Sequence, residues 1–261
     1  MADSAPLAAT GMQTDTIHII RGHLTGDAPL DTAISRTLLK RVSDGELPET
    51  LQIGLPHSVV AFGKHDALTK GFSHAVSIAT GYGYDPTVRI AGGRAVVFHR
   101  DVVRFAWTLP IDAPLVNIRD RFDILAERTI TAINSFGIDA VVGQLAGEYC
   151  PGRYSVSIPG IGKVMGSGQR LARKAAQIGG MIVIRGAEAI NSVLVPVYES
   201  LHLDMDPHIT GAVSEAAAVD AELFMDRFVE QFVEEREPSF VDIDHATRTA
   251  ALDLRHIHDP G

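Results

Sequence analysis

The residue best suited to covalent chemistry in this sequence is Cys150, the single cysteine among 261 residues. It lies in the segment Glu148-Tyr149-Cys150-Pro151-Gly152, where polar and turn-forming residues replace the apolar run expected around a structural cysteine. A thiolate in an accessible loop can attack an acyl carbonyl and carry the acyl group as a thioester. The alternative is a buried, inert cysteine, since free cysteines are among the most buried residues.

The next segment supplies a candidate partner for the thiol. Residues 154–158 and 163–165 are strand-like, and the intervening Pro159, Gly160 and Gly162 predict a β-hairpin between them. The hairpin would bring Lys163 near Cys150, where its ammonium group would stabilise a thiolate. An ordinary surface lysine in a turn is the alternative.

A third candidate is the glycine pair Gly92-Gly93, which lies between strand-like segments at 87–90 and 95–98. Glycines in a strand pattern indicate a bulge or the close approach of another group to the backbone. Main-chain N–H groups at this point would stabilise the oxyanion of an acyl-transfer intermediate. His99, at the end of the second segment, could exchange protons near neutral pH. A plain β-bulge and a structural histidine are the alternatives.

Two further groups of residues have both a functional and a purely structural interpretation. His256 and His258 stand two positions apart near the C-terminus, but no thiol or further close-set histidine supports a metal site, so a mobile tail and no required metal are predicted. Arg170, Arg173 and Lys174 form a local basic patch that could meet an anionic partner. A solvated loop face is the alternative for that patch.

The elements that must position these residues combine strands with a few helices. Strand-like runs occur at 17–21, 58–62, 87–90, 95–98, 103–109, 139–142, 154–158, 179–184 and 192–195. Apolar residues at helical spacing predict helices near 30–42 and 122–130, and a third from 214 to about 235. Strands and helices that do not strictly alternate predict an α+β fold, with mixed, mostly antiparallel sheets packed with helices.

Composition limits the class of protein. A formal charge of −9 disfavours nonspecific nucleic-acid binding, and no stretch approaches the ~18–20 apolar residues that cross a bilayer. One cysteine and 46% hydrophobic residues predict a cytoplasmic protein with a large core and no disulfide. Residues 1–15 lack the pattern of a secretory signal and are predicted to be a flexible leader, with 16–261 as a single catalytic domain.

Together these segments resemble the biotin and lipoate protein ligase superfamily. Within it, they resemble the branch that contains the lipoate-protein ligases and the cysteine-dependent octanoyl and lipoyl transferases. The resemblance covers roughly residues 30–215 and rests on the helix at 30–42, the strand at 56–63, the glycine segment at 89–99 and the hairpin at 150–170. It implies the catalytic-domain fold of that superfamily.

The resemblance implies an acyltransferase of protein lipoylation, which passes an octanoyl or lipoyl group to the lysine of a lipoyl domain through a thioester on Cys150, with Lys163 as second catalytic residue. The residues implied for acyl binding or oxyanion stabilisation are Arg89, Gly92, Gly93, His99, Gly166, Ser167 and Gln169. The implied donor is an acyl-carrying H protein or acyl carrier protein. The implied acceptors are lipoyl domains of 2-oxoacid dehydrogenase complexes.

An octanoyl or lipoyl chain needs an apolar slot. Four residues on the predicted strands are candidates for its wall, or equally for the core: Val96, Phe98, Val164 and Met165. Octanoyl and lipoyl both remain open as the transferred group, because they differ mainly at the end of the chain that lies farthest from the carbonyl.

One position departs from the ligase pattern, and two other functions stay open. The ligases carry three consecutive glycines where this chain has Gly92-Gly93-Arg94, and a long side chain there disfavours the close approach of a nucleotide phosphate. An ATP-dependent ligase that forms a lipoyl-adenylate, with Lys163 holding it, is one alternative. A noncatalytic protein that binds lipoyl domains or an acyl ligand is the other.

Overall fold

The structure is a computed structural model that describes residues 15–22, 25–234, 236 and 238–261. Residues 1–14 of the predicted leader lie outside the described residues. Two sheets carry eleven strands within this described part of the chain, and six α-helices pack against them. None of the helices described is both long and apolar enough to cross a membrane.

The larger sheet has eight strands in the order β11-β1-β2-β6-β10-β9-β8-β7. Its strands are β1 (Ile17–Arg21), β2 (Glu49–Gly54), β6 (Val102–Pro110), β7 (Val141–Val142), β8 (Val156–Ile158), β9 (Gly162–Leu171), β10 (Ala175–Val183) and β11 (Pro238–Phe240). The smaller sheet has the order β4-β3-β5, with β3 (Val59–Phe62), β4 (Asp85–Val88) and β5 (Val96–Phe98). Six of the nine strand pairs in the described residues are antiparallel, which confirms the predicted α+β class.

Six helices cover the two sheets. They are α1 (Ala28–Ser43), α2 (Phe72–Gly81), α3 (Ile118–Asn134), α4 (Ala187–Ser200), α5 (Ala221–Val233) and α6 (His245–Leu254). Helices α3 and α5 enclose the main core with one face of the large sheet, and α2 and α4 enclose a second core with the small sheet. Helix α1 packs on the opposite face of the large sheet, with α6 outside it.

Strand β6 shows how the large sheet separates these layers. Val103, Phe105 and Trp107 point into the main core, because alternate residues of a strand face opposite sides. The intervening residues point toward α1: Thr108 accepts a hydrogen bond from Gln177 of β10, whose side chain also bonds to Ser35 of α1. Beside this contact, a cavity lies between the sheet and α1, and residues of the small sheet line one side of it.

The predicted strands overlap β1, β3 to β8 and β10, and the predicted hairpin is confirmed by the pairing of β8 with β9. The strand predicted at 192–195 is wrong, because this segment lies inside α4. Its branched residues suggested a strand, but Ile190, Val193, Leu194 and Val197 recur at helical spacing and are buried on one face.

Two other expectations need correction. The third helix begins at Ala221, not at 214, because the Asp220 side chain accepts the N–H groups of Glu222 and Leu223 and caps it there. The histidine-containing tail is packed, not mobile. His258 is buried, its Nδ1–H donates to the Val88 carbonyl at 2.7 Å, and its own carbonyl accepts the Val88 N–H at 2.9 Å.

We predict that Phe228→Ala will lower the free energy of unfolding by about 3–5 kcal/mol, because a large buried ring leaves a cavity when truncated. Phe228 is fully buried and contacts the rings of Phe105, Phe224 and Phe232. Urea denaturation would measure the change. Leu223→Ala, a substitution at an exposed position of the same helix, should cost under about 1 kcal/mol, and equal losses in the two variants would contradict the assigned packing.

Candidate active site

Cys150 lies in the loop between β7 and β8, in a backbone conformation that is unusual for a residue with a side chain. Its φ is 41°, in the left-handed region. The Cys150 N–H donates to the Tyr198 hydroxyl at 2.8 Å, and this hydroxyl donates to the Ala95 carbonyl at 3.1 Å. Helix α4 thus fixes the thiol loop against the start of β5.

The Cys150 sulfur receives two hydrogen-bond donors. The Arg89 guanidinium Nη2 and the Arg94 backbone N–H each lie 3.2 Å from Sγ. Both donors therefore contact the atom that would act as the nucleophile. The sulfur is also partly buried, as expected for a reactive but accessible group.

Gly93 allows this arrangement. Its φ is +102°, and a Cβ built on it would lie 2.7 Å from the Cys150 sulfur, which is closer than real Cβ atoms come to other atoms. The predicted close approach of another group to the glycine pair is therefore present, and it involves both the thiol and the Arg89 guanidinium, whose Nη2 lies still closer to the same built Cβ. The N–H that reaches the sulfur belongs to Arg94, directly after the pair.

Lys163 lies in β9 under the thiol loop and is fully buried. Its ammonium group donates to the backbone carbonyls of Tyr149 at 2.9 Å and Cys150 at 3.0 Å, and its Nζ lies 3.4 Å from Glu148 Oε1. Burial lowers the pKa of Lys163, while the Glu148 carboxylate and Cys150 oppose that shift. The lysine thus contacts the backbone of the nucleophile, whereas the cation hydrogen-bonded to the sulfur is Arg89.

Glu148 organises the rest of the loop. Its carboxylate accepts the Gly152 N–H at 2.7 Å, the Ser155 hydroxyl at 2.8 Å and the Leu145 N–H at 3.2 Å. The carboxylate therefore joins both sides of the cysteine loop to each other and lies beside the Lys163 ammonium group.

A cavity extends from Cys150 between the large sheet, α1 and the small sheet. Of the predicted site residues, Arg89, Cys150, Lys163, Gly166 and Ser167 line it. Its apolar wall includes Val96 and Phe98, as predicted. Val164 and Met165 do not line it, because both are fully buried in the main core. The carbonyl of Gly92 faces Gly168 of β9, at 3.0 Å from the position of a built Cβ.

Two predicted site residues make other contacts. The His99 Nδ1 accepts the Asp101 N–H at 3.2 Å in the turn before β6, and burial lowers the pKa of His99. Gln169 Oε1 accepts the Arg121 Nε–H and Nη2–H groups of α3 at 3.2 and 2.9 Å. Alternation along β9 explains the second case, because Gln169 faces α3 while Gly168 faces the Gly92 loop.

Two residues of the site carry little signal in the sequence. Glu148 stands two residues before Cys150, but its role requires the folded loop. Tyr198 lies 48 residues beyond Cys150, in a segment with a strand-like composition. In the described residues, no group of three or more His, Cys, Asp or Glu side chains could hold a metal ion.

The described fold is similar to the folds of two lipoate-protein ligases of known structure. A bi-partite lipoate protein ligase of Thermoplasma acidophilum matches with a TM-score of 0.71 over 92% of this chain and 91% of its own, at 14% identity. A lipoate-protein ligase A bound with ATP matches with a TM-score of 0.72 over 92% of this chain and 94% of its own, also at 14% identity. These likenesses show the biotin and lipoate ligase catalytic fold.

The sequence model of the family described as "Lipoyl protein ligase A/B catalytic domain" matches residues 27–235, so the chain belongs to this family. A curated relative in Geobacillus kaustophilus, an "Octanoyl-[GcvH]:protein N-octanoyltransferase", is 26% identical over 65% of this chain and 59% of its own length. A "Lipoyl-[GcvH]:protein N-lipoyltransferase" of Listeria monocytogenes is 24% identical over 76% of this chain and 74% of its own length. The chain thus spans less than two thirds of the octanoyltransferase that it matches.

We predict that Arg89→Met will slow alkylation of Cys150 by iodoacetamide at neutral pH about tenfold, because the thiolate loses its cationic hydrogen-bond donor. Alkylation can be followed by mass spectrometry of the intact protein. Arg153→Met is the matched control, since this arginine is exposed three residues from the thiol. An unchanged rate in Arg89→Met would show that the guanidinium does not activate the sulfur.

Proposed function

We propose that this chain transfers an octanoyl or lipoyl group from one protein to another through a thioester on Cys150. The observation that carries the proposal is the sulfur itself, which lies between two hydrogen-bond donors at a cavity with an apolar wall. The names of the curated relatives support it, since they describe transfer of octanoyl or lipoyl groups from GcvH to a protein. A free thiol nucleophile suits a reducing compartment, so we propose the cytoplasm as its location, with 16–261 as one catalytic domain.

In the first step, the Cys150 thiolate attacks the acyl carbonyl of an acyl-carrying H protein. A carbon–sulfur bond forms, the bond from the carbonyl carbon to the carrier nitrogen breaks, and the departing amine takes a proton. The Arg94 N–H and the Arg89 guanidinium, which face the sulfur in the free enzyme, can then face the oxygen that gains charge.

In the second step, a lysine amine of the acceptor attacks the thioester. The new amide bond forms as the carbon–sulfur bond breaks, and the thiolate returns to its two donors. The attacking amine releases one proton to solvent, which balances the proton that the departing amine takes from solvent in the first step. The acceptor would be a lipoyl domain of a 2-oxoacid dehydrogenase complex. Burying the chain in the cavity contributes about 0.8 kcal/mol per methylene, which retains the acyl group while the two carriers exchange.

Lys163 and Glu148 position the nucleophile in this mechanism. The ammonium group holds the carbonyls on either side of the Cys150 N–H, and the carboxylate holds the loop beyond it. Together they maintain the positive φ that turns the sulfur toward Arg94. Lys163 also adds positive charge to the cavity in which the oxyanion develops.

We predict that the wild-type protein, incubated with octanoyl- or lipoyl-H protein without ATP, will gain the mass of one acyl group on Cys150 and lose it when an apo-lipoyl domain is added. Cys150→Ser should show neither the adduct nor the transfer, because the hydroxyl lacks the nucleophilicity of a thiolate. Intact-protein mass spectrometry follows both steps.

The alternatives give different results in the same experiment. An ATP-dependent ligase would modify the lipoyl domain only with ATP and free lipoate, and Cys150→Ser would retain that activity. A noncatalytic binder would bind the acylated carrier equally well with and without the cysteine. Absence of an adduct from both acyl donors would contradict the thioester mechanism.

The acylated carrier needs a docking surface close to the thiol, and we propose a basic cleft beside the cavity. Arg36, Lys64, Arg170 and Arg173 line this cleft, and Ile90 lines both the cleft and the acyl cavity. No ion pair within the described residues involves these four cations. Burial, together with Arg170 and Arg36, lowers the pKa of Lys64. An acidic face on the carrier would relieve this repulsion between like charges.

We predict that Arg170→Glu with Arg173→Glu will raise the KM for acyl-H protein about tenfold and leave kcat nearly unchanged, because the docking attraction becomes repulsion. Raising the salt concentration should weaken wild-type binding in the same direction. Arg100→Glu is the matched control, since Arg100 is exposed and precedes the opposite end of β6. An equal KM in the double variant and the control would contradict docking at this cleft.

A further inference from the structure

The register of the large sheet gives the direction and length of the acyl cavity. Gly166 of β9 lies opposite Met181 of β10, which lies opposite Arg104 of β6, and all three residues line the cavity. Gly166 is also close to Lys163, whose Nζ is 3.5 Å from a built Cβ at that glycine. Neighbouring strands are about 4.8 Å apart, so Arg104 lies roughly 10 Å across the sheet from the thiol end. This is about the length of an extended eight-carbon chain.

Small residues leave room for a chain along this path. Gly179 and Ala106 are register partners on β10 and β6, and both line the cavity. A Cβ built on Gly179 would have Phe105 O at 3.5 Å and the Ala106 Cβ at 3.9 Å as its nearest neighbours. A side chain would therefore fit at this position, and its absence keeps this part of the cavity open. A chain that starts at Cys150 can thus cross two strands toward Arg104.

The far end of this path is polar. Asp31 of α1 lines the cavity there and is only 5% exposed. Its Oδ1 accepts the N–H and the hydroxyl of Thr25 at 2.7 and 2.8 Å, but its Oδ2 has no hydrogen-bond partner within the part of the chain described. Burial raises the pKa of Asp31, with the charge of Arg104 among the opposing influences. This end of the cavity is therefore lined by a carboxylate with one unpartnered oxygen.

A second polar group at this end is Arg104, which also lines the cavity and whose charge acts on Asp31. Arg104 also takes part in none of the hydrogen bonds or ion pairs between described side chains. A saturated hydrocarbon end placed beside these groups would desolvate them without replacing their hydrogen bonds, which is costly.

We infer that this far end is a polar subsite for the sulfur-bearing end of a lipoyl group, so that the cavity selects lipoyl over octanoyl. Dithiolane sulfurs are polarisable weak acceptors that the Arg104 guanidinium can approach, and the thiols of the reduced form can also donate to Asp31 Oδ2. The methyl end of an octanoyl group offers neither contact. Sites built around hydrogen-bonding groups discriminate against analogues that lack them. The inference rests on the proposed acyl transfer and names its preferred acyl group.

The test compares kcat/KM for lipoyl-H protein and octanoyl-H protein, measured separately as donors to one apo-lipoyl domain. The wild type should favour the lipoyl donor about tenfold, and Arg104→Met should lower this preference about tenfold, since the thioether chain keeps the shape and loses the charge. Asp31→Asn is the second variant, because its amide can still accept the Thr25 groups. Arg100→Met, which removes an exposed arginine, should keep the wild-type ratio.

Each result decides the inference. A wild type that favours octanoyl, or a ratio unchanged in both Arg104→Met and Asp31→Asn with melting temperatures intact, would overturn the polar subsite while leaving thioester transfer in place. If Arg104→Met does not fold, the wild-type preference and Asp31→Asn still decide. If neither donor acylates Cys150, the proposed transferase function fails first, and the two failures are therefore distinguishable.

Discussion

The site depends on one buried cation, the Lys163 ammonium group, which lies where main-chain oxygens converge. Burying an ammonium group is unfavourable unless hydrogen bonds and an opposite charge replace its water. The carbonyls of Tyr149 and Cys150 and the Glu148 carboxylate supply that replacement. Since each of these groups belongs to the cysteine loop, satisfying the lysine also fixes the loop, and the loop fixes the sulfur.

The sheets supply the other half of the arrangement. The small sheet ends β4 at Val88, so Arg89 emerges beside the thiol, and the turn at Gly93 presents the next N–H to the same atom. The large sheet supplies Lys163 from β9. The nucleophile thus lies between the two sheets, and the cavity beside it is lined by residues of both sheets and of α1.

Local sequence patterns predicted the hairpin that brings Lys163 near Cys150, and the family resemblance added the glycine pair to the same site. They could not assign contacts within that group. Arg89 reaches the sulfur from the end of the small sheet, and Lys163 reaches the carbonyls from β9 of the large sheet. The position of each sheet relative to the cysteine loop is a property of the tertiary fold. His99 and Gln169 were predicted by position in a motif, but strand alternation turns Gln169 toward α3. Helix α4 was misread because its valines and leucines suit both a strand and a buried helix face, and this concealed Tyr198.

A pair of hydrogen bonds between His258 and Val88 links the reactive centre to the last residues of the described chain. The Val88 N–H donates to the His258 carbonyl, and the His258 ring donates to the Val88 carbonyl. The next residue, Arg89, carries the guanidinium that contacts the sulfur. During synthesis, the thiol loop and Lys163 leave the ribosome about a hundred residues before His258 can form these hydrogen bonds. Until His258 is made, strand β3 alone would hold Val88 and Arg89, so the C-terminal residues would add their support of the guanidinium last.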